Sequence, residues 1–383
     1  MKIVKIFFIA AILLVAITSL KAQQNEVKNK FRGFAINGHS GSHIYTGDLL
    51  NESLDNGYGA ISIKLSWVPG SDSTSWQQHY GYPSYGLGVY SGAIGNPDIL
   101  GTPNAIFGFV SFPVYQTRKT SFVVEPAVGL TYDLKPHDSE ENPMNDAIGS
   151  KICVYFNLNF GGRTAISREM DLTYGFDMTH FSNGRTFVPN YGLNMAGLNI
   201  GMLYHFNRVQ KVVDKSLKPK TILEVRPEME ATSGDVRKKQ WYFSAYQAAG
   251  TTQKYGFEDV RYFNASTSIE AVYKRSMKHS WLLGFDLLYD GSLKNEYPET
   301  SGQFAYAIHP GYDFSFYKFD LRAQVGIYLG DNKDKGPFFL RPALRYWFSN
   351  AVFAQIGLKT INGFAADWVE YGVGVKLWSS GNR

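Results

Sequence analysis

Cysteine is almost absent from this chain of 383 residues: Cys153 stands alone, so no intrachain disulfide can form and no thiolate metal site is available. Cys153 alternates with Ile152 and Val154 and reads as an ordinary strand residue. Long hydrophobic runs are missing as well. Beyond the N-terminal segment nothing approaches the roughly 18 consecutive apolar residues of a membrane helix. Charge of one sign is scarce. The net charge is only +5, and no basic run is interleaved with aromatics that could stack on bases, so no nucleic-acid partner is expected. His39 and His43 lie four residues apart, a spacing that on a strand brings no two imidazoles onto one ion, so no metal site is expected either.

Aromatic residues make up 15% of the chain, and 38 glycines separate short alternating segments. At the N-terminus, Lys2 and Lys5 precede an apolar run, Ile6–Leu20, and Leu20-Lys21-Ala22 is an acceptable cleavage site, so residues 1–22 read as a secretory signal peptide. Alternation follows. Ile61, Ile63, Leu65 and Trp67 oppose Ala60, Ser62, Lys64 and Ser66; Phe319, Leu321, Ala323, Val325 and Ile327 oppose Asp320, Arg322, Gln324 and Gly326. Segments of about ten residues with one apolar face, aromatic ends and Gly/Asn/Asp turns are the signature of an antiparallel outer-membrane β-barrel. Lipid offers no hydrogen-bond partner, so only a closed sheet satisfies the backbone. A pair of soluble β-sandwiches would also alternate, but it would not explain the aromatic richness.

Eight such segments precede residues 207–240 and eight follow. That intervening stretch holds nine Lys/Arg, five Asp/Glu, Pro219 and Pro227, and reads as a charged periplasmic linker with one short strand at Thr221–Arg226. The expected organisation is therefore a barrel over 23–206, the linker over 207–240, and a second barrel-like half over 241–383. The linker is far longer than a periplasmic turn, which favours two linked eight-stranded halves over the alternative, one barrel of about sixteen strands.

One stretch reads as chemistry. In 170–206, Met170, Leu172, Tyr174, Phe176 and Met178 share one strand face, and by parity His180 and Ser182 fall on that apolar face. After a tight connection, Ala196, Leu198, Ile200, Met202, Tyr204 and Phe206 form the second apolar face, with Asn194 in register. A His, a Ser and an Asn converge on a greasy surface at a hairpin rim, which suits a greasy substrate. His180 and Ser182 are two apart, so their Cα atoms lie about 6.5–7 Å apart and their side chains can lean into contact. Pairing His180 near Asn194 would put the carboxamide behind the imidazole. Backbone N–H groups at Asn183 and Gly184, and the Asn190 amide, are the nearest donors for an oxyanion.

His180-Phe181-Ser182-Asn183-Gly184 followed by Pro189-Asn190-Tyr191-Gly192-Leu193-Asn194 resembles the lipid A 3-O-deacylase (PagL) family, the acyloxyacyl hydrolases, whose pattern is H-x-S-N followed by P-N-x-G-x-E. Trp76-Gln77-Gln78, Tyr85-Gly86-Leu87-Gly88 and Ala147-Ile148-Gly149-Ser150 are similar to its longer Bacteroidetes-type members. The likeness covers mainly 23–206. It implies an eight-stranded outer-membrane barrel with His180 as base, Ser182 as nucleophile, lipid A of lipopolysaccharide as substrate and no cofactor. One position departs: Asn194 stands where the family has Glu. An acid orients the imidazole and stabilises its cation, whereas an Asn only orients it. Outer-membrane phospholipase A, a barrel enzyme with a Ser-His-Asn arrangement, resembles His180-x-Ser182-Asn183-Gly184-Arg185 with its Asn at the same spacing.

The expected function is thus an outer-membrane serine ester hydrolase that removes an ester-linked acyl chain from lipid A. The alternatives are an outer-membrane phospholipase A and a non-catalytic structural or transport barrel. With a periplasmic N-terminus, the seventh strand ends outside the cell, at the outer-leaflet rim. Three further residues receive plainer readings. Arg185 is expected to be a solvated loop cation rather than a lipid-phosphate contact. Gly38-His39-Ser40-Gly41-Ser42 lacks the closing Gly and the strand-to-helix turn of a nucleophile elbow. Glu370 is expected in a barrel lumen.

Overall fold

Period-two alternation resolves into sixteen antiparallel strands that close into two separate eight-stranded barrels. The structure, a computed structural model, describes residues 31–45, 48–53, 55–68, 80–117, 119–167, 169–206, 239–254, 260–299, 302–330, 335–363 and 365–380. The signal peptide, most of the charged linker with its strand at Thr221–Arg226, and Trp76-Gln77-Gln78 lie outside the described residues.

The first barrel comprises β1 (Phe31–Tyr45), β2 (Gly57–Val68), β3 (Ser84–Ala93), β4 (Asn104–Gln116), β5 (Thr120–Thr131), β6 (Cys153–Ala165), β7 (Met170–Ser182) and β8 (Leu193–His205), and it closes by pairing β1 with β8. The second comprises β9 (Gln240–Gln253), β10 (Arg261–Lys274), β11 (His279–Asp290), β12 (Phe304–Phe316), β13 (Phe319–Leu329), β14 (Phe338–Trp347), β15 (Val352–Ile361) and β16 (Ala365–Ser379), closed by β16 against β9. A single sheet of sixteen strands is therefore not what forms. An eight-stranded barrel is just wide enough for side chains to fill.

Polarity is turned inside out relative to a soluble protein. Ile61, Leu87, Leu198, Ile200, Leu283 and Val373 stand exposed on the outer walls. Asn37, Asn157 and Asp177 in one lumen, and Glu270, Asp286, Arg322, Arg341 and Arg345 in the other, are buried. Apolar wall and polar interior are what lipid demands of a barrel, and they exclude the sandwich alternative. In the second lumen, charges pair with charges: Arg322 Nη1 lies 2.9 Å from Glu270 Oε1, and Arg341 Nε lies 2.9 Å from Glu370 Oε2. Glu370 is a lumen residue, as its parity required.

Two layers fill the first lumen. Near the β7–β8 hairpin, Tyr90, Phe107, Tyr155 and Phe181 form an aromatic plug, with Tyr155 ring centroids 5.1 Å from Tyr90, 5.2 Å from Phe107 and 5.6 Å from Phe181. Below it lies a polar layer around Asp177. Phe181 is fully buried, and its position between His180 and Ser182 fixes the face those two residues take. A one-residue slip of β7 would expose this ring and bury its neighbours.

Candidate active site

The register pairs His180 with Asn194 directly across β7 and β8. Both face outward, above the exposed Phe176, Met178 and Leu198. His180 Nδ1 lies 2.8 Å from Asn194 Oδ1. With the carboxamide oxygen accepting, the imidazole proton sits on Nδ1 and Nε2 keeps its lone pair. Gly192 makes room for this pair. Its φ is +74°, and a Cβ there would come within 2.8 Å of His180 Cε1.

Ser182 ends β7, only 7% exposed. No hydrogen bond joins its Oγ to the imidazole among the described residues, in contrast to the contact expected from spacing. The hydroxyl turns to the connection instead. Gly184 N–H donates to Ser182 Oγ at 3.0 Å, and Asn190 Nδ2 donates to it at 3.0 Å, with Asn190 Oδ1 at 3.2 Å. All of these partners lie within the same tight loop. Catalytic hydrogen bonds in unliganded sites are often loose and tighten when substrate arrives.

The three expected oxyanion donors separate. Asn183 N–H is occupied, donating to Asn190 Oδ1 at 3.0 Å. Gly184 N–H and Asn190 Nδ2 converge on the hydroxyl. A further donor was not anticipated: Asn183 Nδ2 is buried without a hydrogen-bond partner, while its Oδ1 accepts from Phe187 N at 3.3 Å. Behind this loop packs the 147–150 segment. Gly192 N donates to Ala147 O at 3.0 Å, and a Cβ on Gly149 would lie 2.7 Å from the Val188 carbonyl carbon.

Arg185 requires a correction. It is not a solvated cation: it is 2% exposed, with Nη1 3.3 Å from Asp367 Oδ1 and Nη2 bonded to Glu296, both in the second barrel. Reading the loop in isolation misses this, because the partners are 182 and 111 residues away.

A second Ser–His–acid arrangement lies inside the first barrel. His39 Nδ1 is 2.5 Å from Asp177 Oδ2 and His39 Nε2 is 2.8 Å from Ser62 Oγ. Asn157 also donates to Asp177, at 3.4 Å, and to Thr179 Oγ1 at 2.9 Å. Ser62 is 3% exposed, beneath the aromatic plug, with Tyr90 edge-on to His39. Inside a lumen, polar groups must bond to one another, and this trio does so, with Ser62 and Asp177 both buried. Among the described residues no group of three His, Cys, Asp or Glu side chains is arranged to hold a metal ion.

Two closed eight-stranded barrels with apolar walls, one carrying His180, Ser182 and Asn194 at its β7–β8 hairpin, define a two-barrel β protein. Comparison with protein families is specific: residues 61–203 match lipid A 3-O-deacylase (PagL), and residues 241–379 match the acyloxyacyl hydrolase C-terminal domain. The two matches together cover well over half of the chain, which belongs to the PagL lipid A deacylase family. Among solved structures, a mutant of the Rh. blastica porin is 13% identical over 91% of this chain and 99% of that one, at a TM-score of 0.17. Pseudomonas aeruginosa OccK10 (OpdN) is 9% identical over 92% and 99%, at 0.22. Likeness at these scores carries no functional inference. No curated protein matches the chain.

Proposed function

We propose that this protein is an outer-membrane serine hydrolase that removes an ester-linked acyl chain from lipid A, with Ser182 as nucleophile, His180 as general base and Asn194 as its orienting partner. The observation that carries the reading is the shared outward face of these three groups, with two N–H donors already aimed at the Ser182 hydroxyl. An acyl chain lying along the outer wall would reach Ser182 without leaving the membrane.

In this reading an arriving ester draws Ser182 Oγ toward His180 Nε2, which takes its proton as Oγ attacks the carbonyl. Negative charge gathers on the former carbonyl oxygen. Gly184 N–H and Asn190 Nδ2, each 3.0 Å from Ser182 Oγ, are the nearest candidate donors, and the unpartnered Asn183 Nδ2 belongs to the same loop. One such donor is typically worth about 10²–10³ in rate. His180 then returns the proton to the departing sugar oxygen, and water, deprotonated by the same imidazole, releases the fatty acid. No cofactor is required by these steps.

Asn194 favours a second reading, a phospholipase A of the same membrane, since that enzyme also uses an Asn. Calcium-dependent release of fatty acid from glycerophospholipid would select it. A transport barrel is disfavoured by lumens filled with an aromatic plug in one half and paired charges in the other.

The test is mass spectrometry of lipid A from a Gram-negative host expressing the protein. Wild type should remove the mass of one acyl chain, and Ser182→Ala, inserted at equal level, should not. Lipid A of unchanged mass under wild-type expression would overturn the reading.

A further inference from the structure

The loop carrying the hydrogen-bond donors does not end in its own barrel. From Gly184 to Val188 it is held by the second one. A Cβ on Gly184, whose φ is +64°, would lie 2.2 Å from Val369 Cγ2 on β16. Arg185 O accepts from Gln253 N at 3.5 Å, and Val188 N donates to Gln253 Oε1 at 2.9 Å, at the end of β9. The Arg261 guanidinium at the start of β10 lies 4.0 Å from the Phe187 ring centroid. Arg185 itself reaches Asp367 on β16 and Glu296 in the single helical turn Leu293–Glu296.

Charge in that mouth is unbalanced without the visitor. Asp290, Glu296 and Asp367 are carboxylates. Lys335 Nζ lies 2.5 Å from Asp290 Oδ2 and 2.7 Å from Asp367 Oδ1, and Lys359 Nζ lies 2.5 Å from Asp367 Oδ2. Among the described residues of the second barrel, three acids of this cluster thus meet two lysines, and the first barrel supplies the missing cation. Buried charge is costly unless paired, so withdrawing Arg185 would leave the three acids facing two lysines. Arginine suits the place because its planar fork bonds two acids at once.

We propose that the second barrel is a positioning body for the active site: its acidic mouth captures Arg185 and thereby holds Gly184 N–H and the Asn190 amide on Ser182. Arg185 is a positioning residue: its guanidinium bonds Asp367 and Glu296 in the other barrel. The inference rests on the hydrolase reading and assigns the C-terminal half a role in it. The mechanical logic is short-range. Arg185 directly follows Gly184, the residue whose N–H meets the Ser182 hydroxyl, so any withdrawal of the guanidinium moves that donor.

The full-length protein in detergent tests this with two readouts. The first is fatty-acid release from lipid A in mixed micelles, resolved into kcat and KM. The second is amide hydrogen exchange over residues 183–190, which needs no turnover. If wild type releases no fatty acid, the hydrolase reading fails, and exchange alone decides the latch. Arg185→Ala should speed exchange over 183–190 and lower kcat on the order of 10²-fold, the scale of a misplaced catalytic group, with KM little changed. Arg185→Lys, which keeps the charge and loses the fork, should restore part of the rate. Pairing Arg185→Glu with Glu296→Arg should recover part of the loss caused by Arg185→Glu alone. If Arg185→Ala does not assemble, Glu296→Gln carries the same two readouts from the other barrel. Wild-type exchange and wild-type kcat in these variants would overturn the proposal.

Discussion

His180 and Asn194 are opposite partners across one strand pair, with Nδ1 and Oδ1 2.8 Å apart. The consequence is a neutral acceptor behind the imidazole, where a carboxylate would add charge. A hydrogen bond to a charged group is worth about 1.5–3 kcal/mol against about 1 for a neutral one. Under the proposed mechanism Asn194→Glu should therefore match or exceed the wild-type rate, because it would stabilise the imidazolium formed as Ser182 attacks. Asn194→Leu, which cannot hold the ring, should lose much of the ~10²–10⁴-fold that a positioned base supplies. Rates of fatty-acid release from lipid A check both. An Asn194→Leu variant as fast as wild type would remove position 194 from the mechanism.

Two serines in this protein sit near a histidine, and they predict opposite outcomes. Ser182→Ala should abolish turnover and leave the barrel assembled. Ser62→Ala should keep the rate, because its hydroxyl only completes the lumen network of His39 and Asp177. It should cost stability on the order of 1 kcal/mol, the net worth of one buried hydrogen bond. Heat-modifiable migration on gels reports assembly, and the lipid A assay reports rate. Loss of activity in Ser62→Ala with full assembly would move the chemistry into the lumen.

The outer cluster is readable in the sequence because everything that builds it is local. His180, Ser182, Asn190 and Asn194 lie within one hairpin, and strand parity places His180, Ser182 and Asn194 without any knowledge of the rest of the chain. The division into two barrels is legible for a similar reason: the charged stretch before β9 is too long for a turn. Long-range partners are not. The Asp177–His39 pair depends on β1 closing against β8, and its members are 138 residues apart in sequence. Arg185 reads as a loop cation because nothing near it in the chain is acidic, and its partners arrive only when the second barrel docks. Spacing alone misdirects the Ser182 hydroxyl, since a loop donor one residue beyond Asn183 competes for it.

Glu296 links stability to function through pH. Burial raises its carboxyl above the ordinary 4.5, and Asp367 and Asp290 push the same way against Arg185 and Lys335. A raised carboxyl favours the protonated form in the folded state. Its contribution to stability is thus present below the unfolded value and is lost as pH rises through the folded one. At neutral pH the ionised Glu296 is therefore disfavoured in the folded state, and in the proposed latch it holds Arg185. Glu296→Gln should melt no lower than wild type at pH 7, and its advantage should shrink as pH falls toward 4.5, while its rate of deacylation is reduced. Thermal melts across pH 4–8 beside rate measurements check this. A variant that melts lower and works as fast as wild type would contradict both halves of the argument.

Gly184 offers a test of contact between the barrels by suppression. Its φ of +64° is a conformation that an L side chain adopts at a cost of about 1–2 kcal/mol, and its missing Cβ would strike Val369 at 2.2 Å. Gly184→Ala therefore meets two separate obstacles, one in its own backbone and one in the other barrel. The substitution should displace the loop and cut kcat, with the first barrel still assembled. Val369→Ala removes only the second obstacle. In the double variant part of the lost rate should return, and the remainder should reflect the backbone strain that no change on β16 can relieve. Val369→Ala alone should be close to wild type in rate, since its methyl groups meet no reacting atom. If Val369→Ala restores nothing to Gly184→Ala, the two residues do not meet in the working protein, and the second barrel is not seated against the loop.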